Sequence, residues 1–433
     1  MTYTPAPAIE VSAWGRIVGA IALDPSTGFY AFEYADEWRA DGIELSPLHL
    51  PNRAGVFVFP ELSRQTYYGM PAMVADALPD RFGSALVNAW MADQGIDPAR
   101  ITALDRLAYA SDRAMGALCF APPAGPGGET PSLVQVADLV TAARAQLEGT
   151  LDAASAHEAL TQLITVGSTA GGARAKAVIA YNPHTGQMRS GQLDAPEGFE
   201  QWLLKLDGVG DPAGQADALV SSEQYCRVEY AYFLMAQGAG IEMEPSVLLD
   251  EGARAHFMTK RFDRGPENQR FHVQSLCALA HLDFNLSKTH SYASWFATAR
   301  QLGLGPDAAE QIFRRIVFNI FGVNRDDHTK NVSFMLDDDE RTWKLSPAYD
   351  VTHSNWAGEW TQGHQMSVNG KFNDISLDDL RAMADRFEVP RIARVLVEVA
   401  DAVASWPDAA REARVDEETV STIARDLARY RPR

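Results

Sequence analysis

The sequence predicts an α+β protein: a small N-terminal α/β domain, then a lobe that carries strands, then a mostly helical C-terminal lobe. Three observations lead there. Residues 10–34 alternate as a hairpin does, a Pro/Gly-rich run from Ala121 to Gly128 divides the chain, and strand-like runs before residue 263 give way to helical periodicity that continues to Arg433. The divisions fall at 1–122 for the N-terminal domain, 123–130 for a linker, 131–263 for the strand-bearing lobe and 264–433 for the helical one.

In the N-terminal domain, residues 11–23 are strand-like, Asp24-Pro25-Ser26-Thr27-Gly28 is a turn, and residues 29–34 place Tyr30, Phe32 and Tyr34 on one face. Trp38 and Leu45 continue the β region. Tyr67-Tyr68-Gly69-Met70-Pro71 leads into a helix at 72–78, and Leu78-Pro79-Asp80-Arg81-Phe82-Gly83 into a second at 84–94. Nothing here has catalytic spacing. Past the linker, Pro131-Ser132 caps a helix running to about residue 146.

Residues 165–176, TVGSTAGGARAK, precede a strand at 177–181, a turn at 182–186 and another strand at 201–207. Gly167, Gly171 and Gly172 leave the backbone amides around Ser168 and Thr169 open to an anion, although a plain β-turn accounts for the stretch equally well. In the strand at 201–207, Trp202, Leu204 and Leu206 share one face, and Lys205 lies on the other with Leu203. A lysine there either snorkels at a sheet edge or reaches a phosphate. The helix after Ser221 sets Val228, Tyr232 and Met235 on one side with Glu229 beside them, either solvated or pairing with Lys205. Lys260, Arg261 and Phe262 follow a strand at 256–259.

The chemistry concentrates in residues 324–350, NRDDHTKNVSFMLDDDERTWKLSPAYD. Ile312, Phe313, Ile316, Val317, Ile320 and Phe321 form an apolar stripe at helical spacing, which Gly322 and Asn324 end. Asp326 then opens an Asp-x-x-x-x-Asn loop that closes at Asn331. Strands at 332–335 and 342–345 follow, with Asp337, Asp338, Asp339 and Glu340 as the solvated turn between them, and Asp350 comes last. A Gly-rich hairpin, strand lysine, helix glutamate, connecting strand, Asp-x-x-x-x-Asn and distal Asp form the order of a two-lobed protein-kinase-like fold. In that order the first Asp orients and deprotonates an acceptor hydroxyl, while the Asn and distal Asp hold Mg²⁺ against ATP phosphates.

Composition sets bounds. The 433 residues suffice for two or three domains. No apolar run is long enough to span a bilayer and the first residues do not read as a signal peptide, so the cytoplasm is the expected compartment. Cys119, Cys226 and Cys277 lie far apart and read as small hydrophobes. A net charge of −19 disfavours direct binding to nucleic acid and to anionic membranes, and favours a basic partner.

At this point the chain resembles the HipA family, toxin kinases of HipBA-type bacterial toxin–antitoxin pairs. The resemblance is carried by residues 324–331 (NRDDHTKN), 345–350 (LSPAYD), 171–176 (GGARAK) and 261–264 (RFDR), with Gly69-Met70-Pro71, residues 78–83 (LPDRFG) and 115–118 (MGAL) in the first domain. It implies a serine/threonine kinase using ATP and Mg²⁺. Asp326 would be the base, flanked by His328 and Lys330, with Asn331 and Asp350 as metal ligands. Lys205 would meet the ATP phosphates, and the backbone near Lys260, Arg261 and Phe262 the adenine. Ser168, Thr169, Gly171 and Gly172 would form an ATP-covering loop, with Ser168 or Thr169 autophosphorylated. It further implies a HipB-like helix-turn-helix antitoxin, contact with DNA only through that antitoxin, and a translation protein, an aminoacyl-tRNA synthetase, as substrate. His328 stands where ordinary protein kinases carry lysine, and Asp350 is followed by Val351, so there is no Asp-Phe-Gly. A kinase for a small molecule and a catalytically silent antitoxin-binding co-repressor remain alternatives.

Overall fold

A computed structural model describes residues 5–79, 81–125, 140, 175–191, 194–209, 224–252, 254–336, 341–355, 358–429 and 431. The expected α+β class is the observed one. The chain forms two compact units: Met1–Ala213 with Met258–Gln274 and Leu336–Arg341, and Gly214–Phe257 with Ser275–Met335 and Thr342–Arg433.

The first unit begins with an antiparallel sheet in the order Val56–Phe57, Phe29–Tyr34, Arg16–Asp24, Ala8–Ala13, Leu118–Ala121. Period-two burial sends Ile9, Val11 and Ala13, and Tyr30, Phe32 and Tyr34, into one core. The expected turn at Asp24 is present, with the Asp24 carboxylate accepting from the Ser26 amide and hydroxyl.

Several expectations need correction. Residues 11–23 are two strands, since Ala13 faces Arg16 across a tight turn at Trp14 and Gly15, whose φ values are 51° and 73°. A two-residue turn of type I′ needs positive φ at both centres, and tryptophan does not advertise it. Gly19 sits where a Cβ would lie 2.1 Å from the Glu33 carbonyl oxygen, so the strands approach only because it is glycine. Trp38 belongs to a helix, Asp36–Asp41, closed by Gly42 in the left-handed region, and not to the β region. Ala103–Ala110 is a further helix, started by a Thr102–Asp105 capping box that was legible as T-x-x-D. The helix at 72–78 is shortened to Ala72–Ala75, and the next one spans Arg81–Asp93. The helix from Pro131, the loop with Ser168, Thr169, Gly171 and Gly172, and the acidic turn at 337–340 lie outside the described residues.

In the second sheet of this unit, Lys176–Tyr181 pairs antiparallel with Glu200–Lys205 and with Met188–Ser190, a strand not foreseen. Glu200–Lys205 has neighbours on both sides, the other being the strand that ends at Lys260. Edge snorkelling is therefore ruled out for Lys205, which is buried opposite Lys176. Beyond Lys260, the fully buried Asp263 carboxylate accepts from Arg261 Nε and Nη2 at 2.9 and 2.7 Å, Arg264 Nη1 at 2.7 Å and the Gly116 amide at 2.7 Å. Burial pushes its carboxyl up, but the two guanidiniums outweigh that and hold it well below the usual range.

The second unit is mainly helical. The helix Pro306–Phe321 packs on Ile392–Ala404, and Tyr225–Gly238 packs on both Ile392–Ala404 and Trp406–Glu412. Val228, Tyr232 and Met235 are buried as their spacing predicts, and Glu229 is buried rather than solvated. Proline opens Pro306–Phe321, where its missing N–H costs nothing, and the predicted apolar stripe faces the core. Among the described residues no helix is long and apolar enough to cross a membrane.

The helix ends at Gly322, as expected, but not through a left-handed glycine. Gly322 has φ −84°, and the left-handed residue is Val323, at 53°. Gly322 is needed for space: a Cβ there would lie 2.8 Å from the Phe318 carbonyl oxygen and 3.3 Å from the Tyr232 ring. The Tyr232 hydroxyl donates to the Gly322 carbonyl at 2.6 Å. Gly322→Ala should cost about 1–3 kcal/mol through overpacking. Urea unfolding of the full chain checks this, and an unchanged midpoint would show that the helix end yields freely.

Candidate active site

The helix Pro306–Phe321 delivers the Asp326 loop at its C-terminal end. Within that helix the buried Arg314 donates to Glu310 one turn back at 3.0 Å and to Glu398 of Ile392–Ala404 at 2.7 Å. After Gly322, Asn324 Nδ2 donates to Asn319 Oδ1 at 2.9 Å, and the Ser354 backbone amide donates to the Val323 carbonyl at 3.0 Å. That second bond lays residues 350–355 alongside the loop. Arg325 Nη1 then donates to Asn355 Oδ1 at 2.9 Å and to the Thr361 carbonyl at 3.3 Å.

Asp326 and Asp327 have opposite fates. Asp327 is fully buried and tied down: Tyr292 donates its hydroxyl, the His364 Nδ1 lies 2.9 Å away, and the Gln365 amide donates at 2.7 Å. Asp326 keeps 37% of its side-chain exposure, with Oδ1 accepting from the Trp360 indole N–H at 2.6 Å and His328 Nε2 3.7 Å away. Burial raises the Asp326 carboxyl above its usual value, helped by Asp350 and Asp327 and opposed by His328 and the Trp360 bond. Asp327 is therefore a structural anchor, and Asp326 is the carboxylate that stays accessible.

The loop closes as a short turn, Thr329–Asn331, pinned by the Thr329 hydroxyl on the Leu282 carbonyl at 2.7 Å. Asn331 Nδ2 donates back to the Asp326 carbonyl at 2.8 Å, so the amide oxygen is turned away from that carbonyl. Ser333–Leu336 and Trp343–Leu345 are neighbouring strands, as expected. They return the chain to Tyr349, whose hydroxyl donates to the Lys330 carbonyl at 2.9 Å. Asp350 follows with φ 52°, unusual for a non-glycine residue and a conformation that clusters at functional sites. Asn331, Asp350, Asp327 and His328 line one cavity of ≈ 30 Å³, room for a water. Lys330 lies with Nζ 5.6 Å from the centre of the Phe284 ring, a cation–π distance.

Asn331 and Asp350 present hard oxygen donors to one space, which fits Mg²⁺: that ion takes one or two protein oxygens and fills its shell with water and substrate phosphate. Among the described residues no group of three or more His, Cys, Asp or Glu forms a self-sufficient metal site.

Against this geometry the known proteins can be compared. The family model for the HipA-like C-terminal domain matches residues 168–407, and that for the HipA N-terminal domain matches residues 9–121. The chain belongs to the HipA family. Among solved structures, HipA of Shewanella oneidensis MR-1, from a complex with HipB and its operator DNA, superimposes with a TM-score of 0.67 at 18% identity, covering 98% of this chain and 95% of that one. The two share a fold. The Helicobacter pylori proinflammatory kinase CtkA gives a TM-score of 0.31 at 10% identity, over 50% of this chain and 92% of that one, too low to establish a common fold. No curated protein sequence matches the chain.

Within this HipA-family chain, the structure brings Asp326, His328, Asn331 and Asp350 into one neighbourhood, with Lys330 on the same turn. Lys205, Lys260, Arg261 and Phe262 belong to the other unit. There Lys260 pairs with Glu200 at 2.7 Å, the Arg261 amide donates to the Gln201 carbonyl at 2.9 Å, and the Arg261 guanidinium is committed to Asp263. The sequence reading missed Trp360, Tyr292 and His364. No spacing rule links them to Asp326 or Asp327, and the only local cue was the doubled acid Asp326-Asp327 itself.

Proposed function

We propose that the chain is an ATP-dependent serine/threonine kinase and the toxin of a type II toxin–antitoxin pair. The observation that carries this is the joining of Asp326 to Asn331 through the loop's own hydrogen bond, with Asp350 brought to the same cavity as Asn331. Asp326 orients the acceptor hydroxyl and takes its proton as the new oxygen–phosphorus bond forms and the bond from the γ-phosphorus to its bridging oxygen breaks. Trp360 fixes one carboxylate oxygen and leaves the other for the acceptor. Asn331 and Asp350 would hold Mg²⁺, which neutralises phosphate charge when bound. His328 and Lys330 flank the base. From the family resemblance, Lys205 is assigned to the ATP phosphates, the backbone at Lys260, Arg261 and Phe262 to adenine, and Ser168 or Thr169, beside Gly171 and Gly172, to autophosphorylation.

The proposed partner is a small helix-turn-helix antitoxin of the HipB type, which would bring the complex to DNA. The family's solved HipA–HipB–operator complex supports it, as does the charge of −19, which opposes autonomous DNA binding. The proposed substrate is a translation protein, an aminoacyl-tRNA synthetase, and the proposed compartment is the cytoplasm. Induced expression with and without such an antitoxin, followed by phosphoproteomics, tests the assignment. Slowed growth with a newly phosphorylated translation protein is expected. Equal slowing by wild type and Asp326→Asn would refute a kinase toxin.

The Trp360 bond carries its own prediction. It stabilises the ionised base, so Trp360→Phe should raise the base's pKa further and move the acidic limb of the kcat profile to higher pH. The sign follows from a base that must lose its proton to act. The limb should move by about one pH unit, the worth of one hydrogen bond to a charged group, with KM for ATP unchanged. An unmoved acidic limb would show that Trp360 only packs.

A further inference from the structure

The helix Glu417–Arg429 buries Thr419, Ile423 and Leu427, an amphipathic stripe turned to the core of the helical unit. The Trp406 indole N–H pins the helix by donating to the Val420 carbonyl at 3.1 Å. Asp426 lies three positions past Ile423, so it shares that inner face and keeps only 14% of its side-chain exposure. An acid placed there needs partners. Its Oδ2 accepts from Asn355 Nδ2 at 2.9 Å and lies 3.1 Å from His353 Nε2. Burial pushes the Asp426 carboxyl up, but those two bonds, helped by the His353 and Arg325 charges, outweigh it and hold the carboxyl below its usual value.

The Asn355 side chain is a two-ended link. A carboxylate only accepts and a guanidinium only donates, so the amide can turn one way: Nδ2 to Asp426 and Oδ1 to Arg325 Nη1, at 2.9 Å each. Arg325 immediately precedes Asp326. A second link is backbone, the Ser354 amide on the Val323 carbonyl at 3.0 Å. A third runs through His353, whose ring meets the Tyr232 ring edge-on at 6.5 Å, while the Tyr232 hydroxyl donates to the Gly322 carbonyl. One carboxylate thus holds residues 353–355, and these hold residues 322–325 just ahead of the base. We infer that Asp426 is a positioning residue for phosphoryl transfer, keeping the Asp326 carboxylate within hydrogen-bond reach of the acceptor hydroxyl. Without it Arg325 and the loop relax, and a displacement of about 1 Å is enough to slow a reaction about 100-fold. The hold on the loop stands on hydrogen bonds alone, and only its catalytic meaning rests on the kinase reading.

The test uses the full chain and follows transfer of labelled γ-phosphate together with hydrogen exchange. Asp426→Ala should lower kcat about 10–100-fold, the range for residues that orient a site from behind, with KM for ATP unchanged. Asp426→Asn should recover part of the loss, because its amide oxygen can still accept from Asn355. Asp426→Ala combined with Asn355→Ala should be no slower than the slower single variant, as for two members of one network. Exchange at residues 324–331 should quicken in each variant while exchange in the helix Pro306–Phe321 stays as in wild type. A wild-type kcat in Asp426→Ala, or losses that simply add in the double variant, would overturn the positioning role. If Asp426→Ala does not fold, Asn355→Ala on the half-buried side of the link carries the test: slower transfer and faster loop exchange support the role, and wild-type values of both overturn it. Faster loop exchange in Asp426→Ala alongside a wild type that transfers no phosphate would strike the proposed function and leave the hold of Asp426 on the loop standing.

Discussion

Asp326→Asn should lose phosphoryl transfer by about 10²–10⁴-fold, the usual worth of a positioned general base, while still binding ATP. Asparagine keeps the shape and can still accept the Trp360 N–H, which spans 2.6 Å in the wild type, so the loop should not rearrange. What disappears is the proton acceptor. Asp350→Asn should act on the other term, weakening Mg²⁺-dependent nucleotide binding, because a metal-ligand charge is lost and the base is not. Transfer of labelled γ-phosphate and nucleotide titration on the same preparations separate the two. Comparable transfer by Asp326→Asn and wild type would sink the assignment of Asp326 and return Asp326–Asn331 to the status of a polar turn.

Asp263→Asn should be strongly destabilising. It leaves Arg261 and Arg264, 5% and 9% exposed, with their buried positive charges uncompensated. Removing one partner of a buried ion pair costs about 3–5 kcal/mol. The three bonds to the Gly116 amide and to the Gly116 and Ala114 carbonyls lose their common anchor as well. The pH dependence has a definite sign. The Asp263 carboxyl is depressed in the folded chain, so its contribution is present above the ordinary value of 3.8 and is lost as pH falls below it. Urea unfolding at neutral and acidic pH should show wild type losing stability on acidification and Asp263→Asn losing less. An unchanged midpoint at neutral pH would mean that water replaces the carboxylate at no cost.

Much of the candidate site was legible because its first members are close in sequence. Asp326 and Asn331 are five positions apart, a loop-sized separation, and the helix ahead of them announces itself by an apolar stripe. The turn at Asp24 and the strand pairing of Phe29–Tyr34 were legible for the same reason. Spacing and periodicity register interactions within a few residues, and the HipA-family motifs added the order of the distant parts.

What only the tertiary structure decided lies at longer range. Trp360 reaches Asp326 across 34 positions, and Tyr292 and His364 reach Asp327 across 35 and 37. Those bonds set which of two adjacent acids is buried and which remains exposed. Asp426 reaches Asn355 and His353 across 71 and 73 positions. Gly322 was legible as the helix end, but its need for space was not, since that comes in part from Tyr232 on another helix. Sequence determined which residue types and local elements exist. Side-chain packing between elements decided which of them meet, because a hydrogen bond or a charge acts over a few ångströms of space whatever the distance along the chain.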